Sequence, residues 1–134
     1  MKEMTIKEIL QADLDKNYPG IDMTVDQYAD MIHDDIKNGY KLFRDGNMLV
    51  MYEDLGDGAV ELHVINGVHK VDDMVQRLFK VLIELQQEGV KEVHIPYDKK
   101  ALENIIKKIP VFPKSTEQIN DGLGRTYLTK VRIG

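Results

Sequence analysis

Glu61 and His63 are two residues apart in Ala59-Val-Glu-Leu-His-Val-Ile65, and His94 lies in Glu92-Val-His-Ile-Pro-Tyr97. Both stretches read as strands from their alternation and β-rich composition. Alternation puts Glu61 and His63 on one face and Val60, Leu62 and Val64 on the other, with His94 available from a neighbouring strand. A carboxylate beside an imidazole suits proton abstraction from a positioned amine. The same residue types also suit the half-exposed polar face of a sheet, and the residues by themselves favour that plainer role. Other chemistries have less to work with. The chain has no cysteine, which excludes disulfides, thiol nucleophiles and cysteine metal sites. Ser115 is the only serine and falls in a polar stretch read as a loop, which argues against a hydrolase triad. His33-Asp-Asp35 is flanked by core-facing Ile32 and Ile36, so it belongs to a solvated helix face. The spacing of His63, His69 and His94 is not that of a metal site, and no metal is expected.

The elements that position these groups follow from periodicity. Asn66-Gly67 ends the first strand, and Val71, Met74, Val75, Leu78, Val81, Leu82 and Leu85 then recur at spacings of three and four. That is a long helix, widened by Phe79 and Ile83 and closed by Gly89. Val90 to Tyr97 resumes a strand, and two strands joined by such a helix are expected to be parallel. Upstream, Thr5-Ile-Lys-Glu8 and Thr24-Val-Asp-Gln27 match capping boxes that open two helices, the first about Ile6 to Asp15 and the second with the stripe Val25, Tyr28, Ala29, Ile32 and Ile36, closed by Asn38-Gly39. Tyr40–Arg44 and Met48–Tyr52 flank the turn Asp45-Gly46-Asn47, and Asp54-Leu-Gly-Asp-Gly58 leads into Ala59. Downstream, Asp98 is placed to cap a helix carrying Leu102, Ile105, Ile106 and Ile109, which Pro110 and Pro113 end. Ser115 to Asp121 reads as a loop, and Gly124 to Ile133 as a terminal strand.

Composition bounds the class. The 134 residues suffice for one domain, read as 1–134, and the content is 43% hydrophobic and 31% charged, ordinary for a soluble globule. A formal charge of −5 disfavours nucleic acid and anionic lipid as partners. Lys99-Lys100 and Lys107-Lys108 make one basic helix face, read as solvated, and the seven methionines read as core filler. No apolar run approaches membrane-spanning length and the N-terminus has no apolar signal core, so the cytoplasm is the expected location.

Helix, helix, antiparallel meander, long helix, strand, helix, terminal strand resembles the GNAT family, the N-acetyltransferases related to Gcn5, from about Ile6 to Ile133. The family's short first strand is absent or reduced to Met1–Thr5, and Val111-Phe112 resembles its Gly-Phe turn with valine in place of glycine. The resemblance implies an α/β fold: a mixed, mostly antiparallel sheet with a central parallel strand pair and helices on both faces. It implies acetyl-CoA held by a glycine-rich loop at a helix N-terminus, where amides and the positive helix end cradle pyrophosphate. The corresponding stretch is Gly67-Val-His-Lys-Val-Asp-Asp73, in which Gly67, His69 and Lys70 are the cofactor-binding candidates. Glu61 and His63 are the candidate base, and Tyr97 or Tyr127 would replace the family's general-acid tyrosine, whose region here is Ile105-Ile-Lys-Lys-Ile109.

Asp72 and Asp73 are expected to cap the helix, occupy its amides and repel pyrophosphate. The sequence reading is therefore a non-catalytic GNAT-fold protein without cofactor, working through a protein partner or self-association, including use in a phage particle. An acetyl-CoA-dependent N-acetyltransferase with a divergent loop is the alternative, and small-molecule binding in the central-strand cleft is a third.

Overall fold

The computed structural model describes residues 2–98, 100–119 and 126–134. Among these the order is α1 (Ile6–Asn17), α2 (Val25–Lys37), β1 (Lys41–Asp45), β2 (Met48–Gly56), β3 (Ala59–Ile65), α3 (Val71–Gln87), β4 (Glu92–Tyr97), α4 (Lys100–Lys108), β5 (Lys114–Gln118) and β6 (Tyr127–Arg132). The strands form one six-stranded sheet in the order β1-β2-β3-β4-β6-β5. β3 and β4 are parallel, with Ala59↔Glu92, Val60↔Val93 and Glu61↔His94 in register, and the pairs β1–β2, β4–β6 and β5–β6 are antiparallel. The chain divides into two compact units, Met1–Glu53 with Val64–His69 and Asp54–His63 with Lys70–Gly134.

In the first unit both helices begin at reciprocal capping boxes. The Thr5 hydroxyl accepts from the Glu8 amide while the Glu8 carboxylate accepts from the Thr5 amide, and Thr24 and Gln27 repeat the arrangement. Each box satisfies two donors that a helix start leaves without partners. Ile9, Leu10, Ile32, Leu49, Met51 and Ile65 form the core, and each fully buried aliphatic side chain contributes about 1.5–3 kcal/mol. Residues ahead of α1 run beside the β1–β2 turn without forming a strand. Asn47 stands in for a neighbouring strand: its side-chain amide donates to the Lys2 carbonyl (2.9 Å) and accepts from the Met4 amide (2.9 Å), and Arg44 donates to the Met4 carbonyl (2.6 Å).

In the second unit Asp57 and Gly58 turn the chain into β3 with both φ positive, 56° and 80°. A tight two-residue hairpin turn requires that pair, and Asp-Gly supplies it. Met74, Leu78, Val81, Leu82 and Leu85 of α3 are buried, the phase that the apolar stripe predicts. α3 contacts α4, and Phe79 meets Phe112 at 5.8 Å between ring centroids. Pro110-Val111-Phe112 is a γ-turn: Val111 has φ 80° and the Phe112 amide donates to the Pro110 carbonyl (3.0 Å). A valine there is strained, since β-branched residues disfavour positive φ.

The loop expected from Ser115 is instead β5, a polar edge strand paired through Ser115↔Lys130 and Glu117↔Leu128. Its side chains from Ser115 to Gln118 are exposed, so it carries no alternating apolar signal. Lys99, beside which Asp98 was expected to cap α4, the Lys100 side chain and residues 120–125, with the expected strand start at Gly124, lie outside the described residues.

Candidate functional site

Glu61 and His63 are brought together on β3, with His63 Nε2 3.0 Å from Glu61 Oε1. A carboxylate only accepts, so Nε2 carries the hydrogen and donates it. β4 repeats the arrangement: His94 Nε2 is 2.6 Å from Glu92 Oε1. The parallel register puts Glu61 opposite His94, so both pairs share one face of the sheet, while Val60, Leu62, Val93 and Ile95 are buried on the other. All four polar side chains are partly exposed, between 19% and 38%.

Tyr97 does not join them. It follows Val93 and Ile95 in the alternation of β4 and so lies on the opposite face from His94. There it is buried, its hydroxyl is 3.0 Å from Thr129 Oγ1, and its ring stacks on Tyr127 at 5.7 Å. Thr129 continues to Thr116 at 2.8 Å, a hydroxyl chain that runs from buried Tyr97 to the exposed edge strand and uses the polar tip of Tyr97 for packing.

The loop after β3 is anchored by Asp13, a residue not singled out from the sequence. Asp13 is buried on α1 and accepts from Tyr28 Oη (2.7 Å), Asn17 Nδ2 (2.7 Å) and the Asn66 amide (3.2 Å). Burial first, and then the Asp13 carboxylate, hold the Tyr28 phenol well above its ordinary value, so it remains a donor. Asn66 Oδ1 accepts from the Val68 amide (3.2 Å) and the His69 amide (2.9 Å). Two backbone donors of the expected phosphate loop are thereby already taken. The signal was available, since Asp13 follows Ile9 by four and Leu10 by three, a carboxylate on the apolar stripe of its helix.

Gly67 and His69 serve this packing. A Cβ at Gly67 would overlap the Ala12 carbonyl and the Asp13 amide, so the glycine admits the α1 backbone. His69 is buried, and its Nε2 accepts from the Asn47 amide at 3.0 Å, which places its ring hydrogen on Nδ1. Lys70 alone of the three cofactor candidates is exposed.

Lys70 is also the N-cap of α3, with no side-chain cap hydrogen bond. The expected capping by Asp72 or Asp73 is therefore corrected. Both are inside the first turn, and Asp73 bonds Arg77 one turn on, 3.1 Å from its Nε. The amides of Val71, Asp72 and Asp73 are the donors a helix start leaves without intrahelical partners. Among the described residues no cluster of three metal-ligating side chains occurs, and no helix is long and apolar enough to cross a membrane.

No protein-family model and no curated protein sequence matches the chain. Solved structures do. A probable acetyltransferase of the GNAT family from Chromobacterium violaceum aligns with TM-score 0.63 and 13% identity, covering 95% of this chain and 74% of its own. The chain has the GNAT fold. An N-acetyltransferase from Staphylococcus aureus Mu50 aligns at TM-score 0.55 and 13% identity, covering 98% and 94% of the two chains. The putative acetyltransferase yncA from Salmonella typhimurium, solved with its cofactor acetyl-CoA, aligns at TM-score 0.55 and 18% identity over 95% and 84%. These neighbours overturn the expectation of a non-catalytic GNAT-fold protein acting through protein contacts or in a phage particle. That expectation rested on the glycine-poor loop, on repulsion by Asp72 and Asp73 and on one of them capping the helix; of these the cap is corrected, since Lys70 is the N-cap.

Proposed function

We propose that the chain is an acetyl-CoA-dependent N-acetyltransferase with a divergent phosphate loop. The observation that carries this is the fold match, over 95% of the chain, to an acetyltransferase solved with acetyl-CoA. Pyrophosphate would be held by the first-turn amides of α3 and by Lys70, because the Val68 and His69 amides are engaged by Asn66. Asp72 and Asp73 oppose this by something on the order of 1 kcal/mol each at partly screened distances. Lys70 and Arg77 bring two cations to the same helix start, and Asp73 is already paired with Arg77, so the carboxylates leave no net negative charge there.

Acetyl-CoA supplies the acyl group. The chain's own part is to take a proton from the attacking amine. Glu61 and His63 together are the base of this proposal: the pair, joined at 3.0 Å, takes up the amine's proton, and the carboxylate stabilises positive charge on the imidazole. Tyr97 has no part in it, being committed to Thr129 on the other face.

The test is thiol release from acetyl-CoA across a panel of primary amines. Amine-dependent release that falls about 10²-fold or more in Glu61→Gln and His63→Gln supports the proposal. A panel in which no amine releases thiol from the folded protein refutes it.

A further inference from the structure

We propose that Asn38 is a self-modification site: its side-chain amide is lost through a succinimide closed by the Gly39 nitrogen, so that α2 comes to end in a carboxylate. This goes beyond the transferase reading and does not depend on it. The sequence holds two Asn-Gly pairs, Asn38-Gly39 and Asn66-Gly67. In such a pair the backbone turns freely enough for the glycine nitrogen to reach the asparagine side chain, because glycine has no Cβ. The fold treats the two pairs oppositely. Asn38 is the C-cap of α2, exposed, and its side chain forms no hydrogen bond with the described residues. Gly39 is exposed at φ 105°, and no atom lies within 4 Å of the place where a Cβ would stand. Its amide donates to the Ile36 carbonyl at 3.2 Å, a long bond at a helix end, where opening costs least.

Asn66 has neither freedom. Its Oδ1 accepts from the Val68 and His69 amides at 3.2 and 2.9 Å, and its Nδ2 donates to the His69 carbonyl at 3.0 Å. Turning its Cγ toward the Gly67 nitrogen breaks these bonds. Gly67 is pressed against the Ala12 carbonyl and the Asp13 amide, so its backbone cannot shift to meet the side chain.

At Asn38 the Gly39 nitrogen attacks Cγ. The N–Cγ bond forms, the Cγ–Nδ2 bond breaks, and ammonia leaves with the hydrogen of the Gly39 amide. Water then opens the cyclic imide. Opening at the side-chain carbon gives aspartate, and opening at the backbone carbon gives isoaspartate, with the chain routed through the side-chain carbon. Nothing is oxidised or reduced, and water is the co-reactant. Either product puts a negative charge at the C-terminus of α2, the unfavourable end of the helix dipole, four residues after Asp34. Isoaspartate also lengthens the backbone beside the bond from the Tyr40 amide to the Asp35 carbonyl (3.0 Å), and so loosens the passage from α2 to β1.

The full chain is aged at physiological temperature, at mildly acid and mildly alkaline pH, and followed by ion exchange and by peptide mapping with mass spectrometry. Asn38 is expected to convert into an acidic variant that contains isoaspartate, faster at the alkaline pH because attack needs a deprotonated amide. Asn66 is expected to keep its amide in the folded chain and to convert alongside Asn38 in urea, where the fold no longer protects it. Asn38→Gln should remove the acidic variant, since glutamine closes the larger ring far more slowly. An Asn38 that persists in the folded chain while the unfolded chain converts overturns the proposal. So does a folded Asn66 that converts as fast as Asn38, or an Asn66 that stays intact in urea. Asn38→Asp tests the consequence: its Tm should fall by about 1–4 °C. A Tm equal to that of the wild type overturns the claim that the new carboxylate weakens α2.

Discussion

Gly67→Ala separates two roles for one glycine. The resemblance places Gly67 in the phosphate loop, where substitution would weaken acetyl-CoA binding and leave stability nearly unchanged. The structure places it against α1, where a Cβ would overlap backbone atoms of Ala12 and Asp13. Backbone cannot rotate aside as a side chain can, so the loop and the helix must separate. Overpacking of this kind costs about 1–3 kcal/mol. Separation also stretches the bond from the Asn66 amide to Asp13, already 3.2 Å, and loses about 1 kcal/mol more. The expected loss is therefore ~2–4 kcal/mol, or roughly 8–16 °C in Tm at about 4 °C per kcal/mol for a chain of this size. Differential scanning calorimetry with urea unfolding measures it. A Tm within about 2 °C of wild type, with acetyl-CoA binding abolished, would refute the packing account and return Gly67 to the ligand.

Three further predictions concern other sites. Val111→Gly should raise stability by ~1 kcal/mol in urea unfolding, because relief of about 1–3 kcal/mol of γ-turn strain exceeds glycine's entropic cost and the side chain, 81% exposed, packs on little; destabilisation would show the turn is not strained. Leu78→Ala should cost about 2–5 kcal/mol, since Leu78 is buried in α3, and a loss below about 1 kcal/mol would contradict that placement. Tyr28→Phe should cost about 1–3 kcal/mol at neutral pH by removing a donor from buried Asp13. Its phenol is raised in the fold, so its contribution is complete below the ordinary value of 10.0 and is lost as pH rises past it; the variant's stability should therefore fall less steeply above that pH, and parallel curves would contradict the assignment.

Local rules carried the reading where local physics decides. Thr5 and Glu8, and Thr24 and Gln27, announced both helix starts, because a capping box is complete within four residues. The stripe from Met74 to Leu85 gave α3 its buried face, and the length of α3 gave the parallel pairing of β3 and β4. The parity of Glu61 and His63 put them on one face of β3, whereas the Glu92–His94 pair on the same face follows from the β3–β4 register and was not singled out from the sequence. What failed was set by partners distant in sequence. β5 is defined by its pairing with β6, and Lys114-Ser-Thr-Glu-Gln118 has no apolar period to betray it. Gly67 looked like a ligand glycine because its neighbour, the Ala12 carbonyl, is more than fifty residues away in the chain. Asp72 and Asp73 looked like caps because acidic residues favour a helix start both at the cap and within the first turn, and only the backbone shows Lys70 at the cap.

The central claim, that this fold retains acetyl-CoA at α3, is tested most directly by calorimetric titration of the purified chain with acetyl-CoA and CoA at moderate salt. Saturable binding in the micromolar range is predicted, weakened in Lys70→Ala and accompanied by a rise in Tm that grows with ligand concentration. Absence of both heat and thermal shift up to millimolar ligand, from a protein shown to be folded, would contradict it.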